Sequence, residues 1–364
     1  MTSLRRTRIA LVGVTALMVA IGVVMIYSAS ALYAQEVYHD AAYFLKRHLA
    51  YLVLGVGGAL WMMQFRHAQL QRWAKPMVLL SLCLLLAVLV PGIGHAAGGA
   101  RRWFRWGPLS VQPSQLAQFA AVLYLADALA RKQDCVESFW EAVAPIVGVI
   151  GALCLLIVVQ PDLGTVIAIA SVTGVLFFVS KVRWQQMLSL GLASLPAAYM
   201  LLWHVPYRRK RILAFLNPWE DSRGTGFQLV QSFLALGSGG LLGVGLGRST
   251  QKLFYLPGAH TDFIFAIIGE ELGFIGAAAV VALCFCFVAL GTKIAAHAPD
   301  LFGKLLAAGI TSLIGVQALI NLGVSMGAWP TKGLPLPFIS YGGSALTMNL
   351  VAVGVLLMIA RDRV

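Results

Sequence analysis

Ten apolar runs, each close to the length a helix needs to cross a bilayer, constrain this chain more than any other feature. They fall near residues 9–30, 45–64, 75–91, 114–131, 143–159, 163–180, 185–203, 263–290, 302–327 and 342–360. A spanning helix takes ~20 predominantly apolar residues, with ~17 tolerated. Soluble domains carry about 25% charged residues, whereas here 11% of 364 are charged and 59% are hydrophobic. The expected fold is an all-α polytopic membrane protein. One integral membrane domain would cover residues 1–364, with ten transmembrane helices and a large external loop, 204–262, between the seventh and eighth. Arg5, Arg6 and Arg8 followed by an apolar run, with Ala29-Ser30-Ala31 beyond, resemble a secretion signal. The core of a cleaved signal is ~7–15 residues; Ile9 to Ile26 is longer, so a retained first span is expected. Pro161 and Asp162 separate the fifth run from the sixth, because Pro ends a helix and Asp caps the next. Four of the five cysteines lie in apolar runs and read as packing residues.

Orientation follows from Lys and Arg. Outside the long loop, fourteen fall on the side of the termini and six on the other, which places both termini in the cytoplasm. External basic residues then gather at Arg101, Arg102 and Arg105, at Arg208 to Arg211, and at Lys332. Two readings stand for Arg208 to Arg211: attraction to anionic headgroups, or part of an anion site. Arg101, Arg102 and Lys332 lie among Gly, Pro and aromatic residues and favour an anion site, where Arg grips phosphate bidentately.

The stretch His260-Thr261-Asp262-Phe263 leads into the eighth run, which carries Glu270 and Glu271. A carboxylate in hydrocarbon costs several kcal/mol and faces a bundle interior or a wet cavity. A helix starting near Asp262 puts the two glutamates roughly 12 Å deeper. Asp262 would then sit where water, headgroups and protein meet. It is either the cap of that helix or a general base, its pKa raised by burial and by Glu270 and Glu271.

Five motifs carry a resemblance: Gly99-Ala100-Arg101-Arg102-Trp103, Val111-Gln112-Pro113-Ser114, Gln160-Pro161-Asp162-Leu163-Gly164-Thr165, His260-Thr261-Asp262-Phe263-Ile264-Phe265, and Pro335-Leu336-Pro337-Phe338-Ile339-Ser340-Tyr341-Gly342-Gly343-Ser344. In order and spacing they resemble the SEDS family (shape, elongation, division and sporulation) of bacterial cell-wall synthesis, across essentially the whole chain. Pro330 to Leu334 and Gln251 to Pro257 look more like its cell-division branch than its elongation branch. The resemblance implies a glycosyltransferase that polymerises lipid II into glycan strands outside the cytoplasmic membrane, releasing undecaprenyl-pyrophosphate. It also implies divisome partners at the septum, among them a class B penicillin-binding protein. Asp262 matches the family's essential aspartate, Arg102 and Trp103 its external loop motif, and Lys332 the basic residue before the last span. Where the family carries Glu, and Lys three residues later, this chain has Gln115 and Gln118. Both ends of an ion pair are neutral together, which avoids a lone buried charge but removes a cation.

Such chemistry needs a base, cations for the departing pyrophosphate and a groove for two lipids. Asp262 is the expected base; Arg101, Arg102 and Lys332 are candidates for the pyrophosphate. Trp103 and Trp106 are placed to stack on sugars, with an interfacial aromatic belt as the other reading of Trp106. Glu270 and Glu271 would orient the Asp262 loop or pair with an internal base within the substrate site. Asp162 reads as a helix cap before a catalyst. Glu220 and Asp221 form either an exposed turn or a site for a divalent cation. No Gly-rich phosphate loop is present, and no nucleic-acid partner is expected. Two other functions fit the same spans: a lipid II flippase, and a scaffold whose catalysis is impaired at Gln115 and Gln118.

Overall fold

The computed structural model describes residues 2–97, 100–107, 109–253, 255–331 and 333–361. Each of the ten apolar runs is helical. In chain order the elements are α1 (Thr2–Tyr38), α2 (Tyr43–Met62), α3 (His67–Arg72), α4 (Ala74–Leu89), β1 (His95–Ala97), β2 (Ala100–Trp106), β3 (Leu109–Val111) and α5 (Pro113–Arg131). After a π-turn at Phe139–Val143 come α6 (Ala144–Val159), α7 (Leu163–Val179), α8 (Trp184–Trp203), α9 (Pro206–Leu216) and α10 (Phe227–Ser238). The chain ends with α11 (Ile264–Ala296), α12 (Leu301–Ser325) and α13 (Gly343–Arg361). Among the described residues, six helices are long and apolar enough to cross a membrane: α1, the π-turn with α6, α8, α11, α12 and α13. Phe285, Leu155 and Val53 project outward at 73%, 65% and 70% exposure. Apolar side chains exposed in such number fit a lipid environment and not water.

The centre is made by α5, α12 and α13, whose residues are buried on nearly every face. Around them α2 packs on α13, α11 on α12, α4 on α5 and α1 on α11. No residue of α8 is buried. Lipid tails are as apolar as leucine, so association depends on close packing at small residues. At the α2–α13 crossing a Cβ placed on Gly354 would lie 2.5 Å from the Ala59 carbonyl oxygen.

Two features depart from the expected all-helical plan. The basic and aromatic stretch after α4 forms a three-stranded antiparallel sheet, β1-β2-β3. Aromatic residues in β2 suit a pleated surface, and Gly107, at φ +54, makes the turn into β3. Second, α11 is broken at Gly273 (φ 69, ψ −169), a backbone state open essentially to glycine. The amides of Val244 and Gly245 donate to the carbonyls of Glu270 and Glu271 at 3.0 and 3.1 Å. Those of Phe274 and Ile275 donate to Gly240 and Leu241 at 2.9 and 3.3 Å. The segment 240–245 thereby satisfies the interrupted helix, the condition on which non-helical backbone survives inside a bundle.

Gly354→Val forces a side chain into the Ala59 backbone, which has no rotamer with which to yield. Over-packing of this kind costs about 1–3 kcal/mol, so the melting temperature of the detergent-solubilised protein should fall. An unchanged melting curve would refute the close approach.

Candidate functional site

Breaks in the helices bring the charged residues together. At the α6–α7 junction the chain leaves helical geometry and exposes two carbonyls. Arg102 on β2 answers both: Nε donates to the Gln160 oxygen at 2.6 Å and Nη2 to that of Pro161 at 2.7 Å. Asp162 caps α7, accepting from the Thr165 amide at 3.2 Å and the Thr165 hydroxyl at 2.8 Å. Gln112 Nε2 and the Ser114 hydroxyl donate to the same carboxylate at 3.2 and 3.3 Å. Asp162 is therefore the helix cap its sequence position suggested, and it also faces a cavity of about 590 Å³. That volume lies within the ~300–1,000 Å³ of small-molecule sites.

Arg102, Asp162, Arg208, Arg211 and Asp262 line this cavity. Pro206 opens α9 at a position where its missing amide is harmless. Arg208 and Arg211, three residues apart, then share a helix face. Arg208 Nη1 donates to the Leu201 carbonyl at 3.0 Å, and Arg211 Nη1 to that of Thr331 at 3.3 Å. The Arg211 guanidinium also stands over the Tyr207 ring, 4.6 Å from its centroid. Of this basic run, Arg209 and Lys210 are exposed, whereas Arg208 and Arg211 line the cavity. Their spacing on one face was the available signal.

Asp262 precedes α11 without capping it, since the capping position is Phe263 and receives no side-chain bond. Its carboxylate has partial access to the cavity and, among the described residues, no hydrogen-bond donor. Burial is the largest influence on it and pushes its pKa up to about 6. Arg211 and Arg102 oppose that rise, while the charge of Asp162 adds to it. The expected contribution of Glu270 and Glu271 is thus replaced by Asp162. Nearby His260 is held neutral by burial, its pKa lowered to about 4.

The other expected site residues are placed differently. Successive side chains on a strand face opposite sides, so Arg101 and Trp103 point away from the face on which Arg102 meets the cavity; neither lines it. Lys332 lies outside the described residues, though its neighbours Thr331 and Gly333 line the cavity, as does the side chain of Asp262. Nothing is described of the Trp106 side chain. Glu270 and Glu271 are buried and do not line the cavity, which corrects their placement in the substrate site; of their two expected roles, pairing with an internal base is the one Glu271 shows. Glu271 accepts from Lys252 Nζ at 2.8 Å and from the Ser28 hydroxyl at 2.8 and 2.7 Å. Glu270 accepts from the Ser249 hydroxyl and from the Thr250 amide and hydroxyl at 2.9 and 3.0 Å. Glu220 and Asp221 are taken up in a turn, where Asp221 accepts from the Thr225 amide at 2.8 Å. Among the described residues no cluster of three His, Cys, Asp or Glu is placed to hold a metal.

Gln115 and Gln118 are buried. Gln118 Nε2 donates to the Thr165 hydroxyl at 3.0 Å, and Gln118 Oε1 accepts from Gln317 Nε2 at 2.5 Å. A chain of neutral side chains, Gln317 to Gln118 to Thr165, thus runs from α12 through α5 to the Asp162 carboxylate at the cavity wall.

Residues 8–364 match the family described as cell cycle protein, FtsW/RodA/SpoVE. The chain is 46% identical over 339 residues to a Geobacter metallireducens protein named "Probable peptidoglycan glycosyltransferase FtsW", covering 93% of this chain and 90% of that one. It is 44% identical to stage V sporulation protein E of Bacillus subtilis, covering 96% of each. Among solved structures it is similar to a chain from work on the coordination of polymerization and crosslinking by a peptidoglycan synthase complex, with a TM-score of 0.80, 32% identity and 97% of each chain covered. The rod shape determining protein RodA of Thermus thermophilus is similar at a TM-score of 0.71 and 30% identity, covering 97% of this chain and 96% of that one. Matched over nearly its whole length by model, relatives and structures alike, the chain belongs to the FtsW/RodA/SpoVE family of cell cycle proteins.

Proposed function

We propose that this protein is a peptidoglycan glycosyltransferase that polymerises lipid II at the outer face of the cytoplasmic membrane during cell division. It crosses the membrane ten times with both termini in the cytoplasm, the loop 204–262 outside, and a class B penicillin-binding protein and other divisome proteins beside it. The observation that carries this reading is a carboxylate with no hydrogen-bond donor among the described residues, Asp262, facing a cavity it shares with three arginines. Asp262 takes the proton from the acceptor sugar's hydroxyl as that oxygen attacks the donor's anomeric carbon. The bond from that carbon to the pyrophosphate oxygen breaks, and the lipid pyrophosphate leaves with the electron pair. Arg208 and Arg211 neutralise it, with Arg102 fixing the cavity wall and adding charge. Asp162, already bonded by four donors, places a negative charge beside Asp262 that raises the latter's pKa.

The reading of a catalytically impaired scaffold draws its force from Gln115 and Gln118. The neutral chain through Gln118 leaves no charge stranded there, which supports the catalytic reading.

Three outcomes test the proposal with purified protein and lipid II. Asp262→Asn should lower polymerisation by about 10²–10⁴-fold, the contribution of a positioned base, with expression unchanged; normal glycan strands from this variant would remove the base. The rate should fall on the acid side with a midpoint at about 6, since protonated Asp262 accepts nothing, and Asp162→Asn should move that midpoint to lower pH. Gln115→Glu combined with Gln118→Lys should change the rate by no more than about threefold, under ~0.7 kcal/mol of barrier; a large gain would favour the impaired scaffold.

A further inference from the structure

Asn321 is a buried polar side chain on α12, one turn beyond Gln317. Its Nδ2 donates one hydrogen to the backbone oxygen of Asp262 at 2.8 Å and the other to that of Leu334 at 2.8 Å. Those carbonyls belong to two different loops, one entering α11 and one leading to α13. Both loops wall the cavity: Asp262 and Phe263 come from the first, Pro330, Thr331 and Gly333 from the second. The loops approach so closely that a Cβ on Gly333 would lie 3.3 Å from Asp262 Oδ2. They meet once more where the Tyr341 amide donates to the His260 carbonyl at 2.9 Å, beside the ring contact of His260 with Phe44. That contact acts two residues away from Asp262. Asn321 acts on the peptide of Asp262 itself.

We infer that Asn321 is a positioning residue for Asp262: one planar amide, held by the rigid centre of the bundle, fixes the peptide from which the carboxylate projects and ties it to the opposite wall of the cavity. Asn suits this role because its two N–H groups lie in one plane and diverge. Buried carbonyls need donors, and without this amide the Asp262 peptide would turn to find another. The inference rests on the proposed role of Asp262, and it adds that the aim of the carboxylate is set from α12.

The test measures lipid II polymerisation by the full-length chain in nanodiscs, comparing wild type with Asn321→Leu, Asn321→Gln, Ser232→Ala and Asp262→Asn. Ser232 donates to the Ser325 carbonyl at 2.7 Å, so its loss removes a buried bond to the same helix without touching the Asp262 loop. Asn321→Leu should lower kcat by about 100-fold, as expected for small misplacements of catalytic groups, with KM nearly unchanged. Its acid midpoint should move from about 6 towards the ordinary carboxylate value of about 4. Arg102 on β2, Arg211 on α9 and Asp162 at the start of α7 face Asp262 and are the same in every variant, so the movement reports the loop. Asn321→Gln, which keeps the two N–H groups, should recover part of kcat and of the midpoint; if Asn321→Leu does not fold, this variant is read against Ser232→Ala. Wild-type kcat in Asn321→Leu, an equal loss in Ser232→Ala, or a fall in kcat with the midpoint unmoved would overturn the inference. An active Asp262→Asn would instead overturn the assignment of the base.

Discussion

Inside a hydrocarbon slab an interrupted helix must find partners for its freed backbone groups from within the protein. Here the interruptions and the candidate site coincide. Arg102 bonds the two carbonyls freed between α6 and α7. Asp162 bonds the amide that α7 leaves open, and Asn321 bonds carbonyls of the loops flanking α11 and α13. The polar groups that repair the backbone are thus also those that shape the cavity. Function and fold draw on one set of side chains, so removing any of them tests both.

Two of the charged clusters among the described residues stand apart from each other. The cavity sets Asp162 and Asp262 against Arg102, Arg208 and Arg211. Deeper in α11, Glu270 and Glu271 are closed off with Lys252, Ser28, Ser249 and Thr250. A buried ion pair gains little net stability over apolar packing, but losing one member leaves a stranded charge that costs about 3–5 kcal/mol. The glutamates therefore act as a strut joining α1, the long loop and the broken α11. They stand apart from the cavity.

Long apolar periodicity made the ten runs legible before any coordinates, and Asp262 was legible as an acid at the mouth of one of them. Adjacency was not. Arg101, Arg102 and Trp103 are consecutive, and their separation depends on β2 being a strand, which a short run of mixed basic and aromatic residues does not announce. Arg208 and Arg211 read equally well as headgroup anchors until α9 brought their shared face to Asp262. The break at Gly273 was hidden because the residues on either side keep an uninterrupted apolar character. The roles of Asn321 and Gln317 rest on contacts across 59 and 199 positions of sequence, and no local pattern carries such information.

Where the segment 240–245 closes the break in α11, two glycines stand back to back. A Cβ on Gly273 would lie 2.3 Å from the Gly243 nitrogen, and one on Gly243 would lie 2.6 Å from the Gly273 nitrogen. Each is already the smallest residue there is, so neither can shrink to make room for the other. Substitution at one site has no compensating substitution at its neighbour, and descendants of this sequence that keep the reentrant seam are bound to carry both glycines.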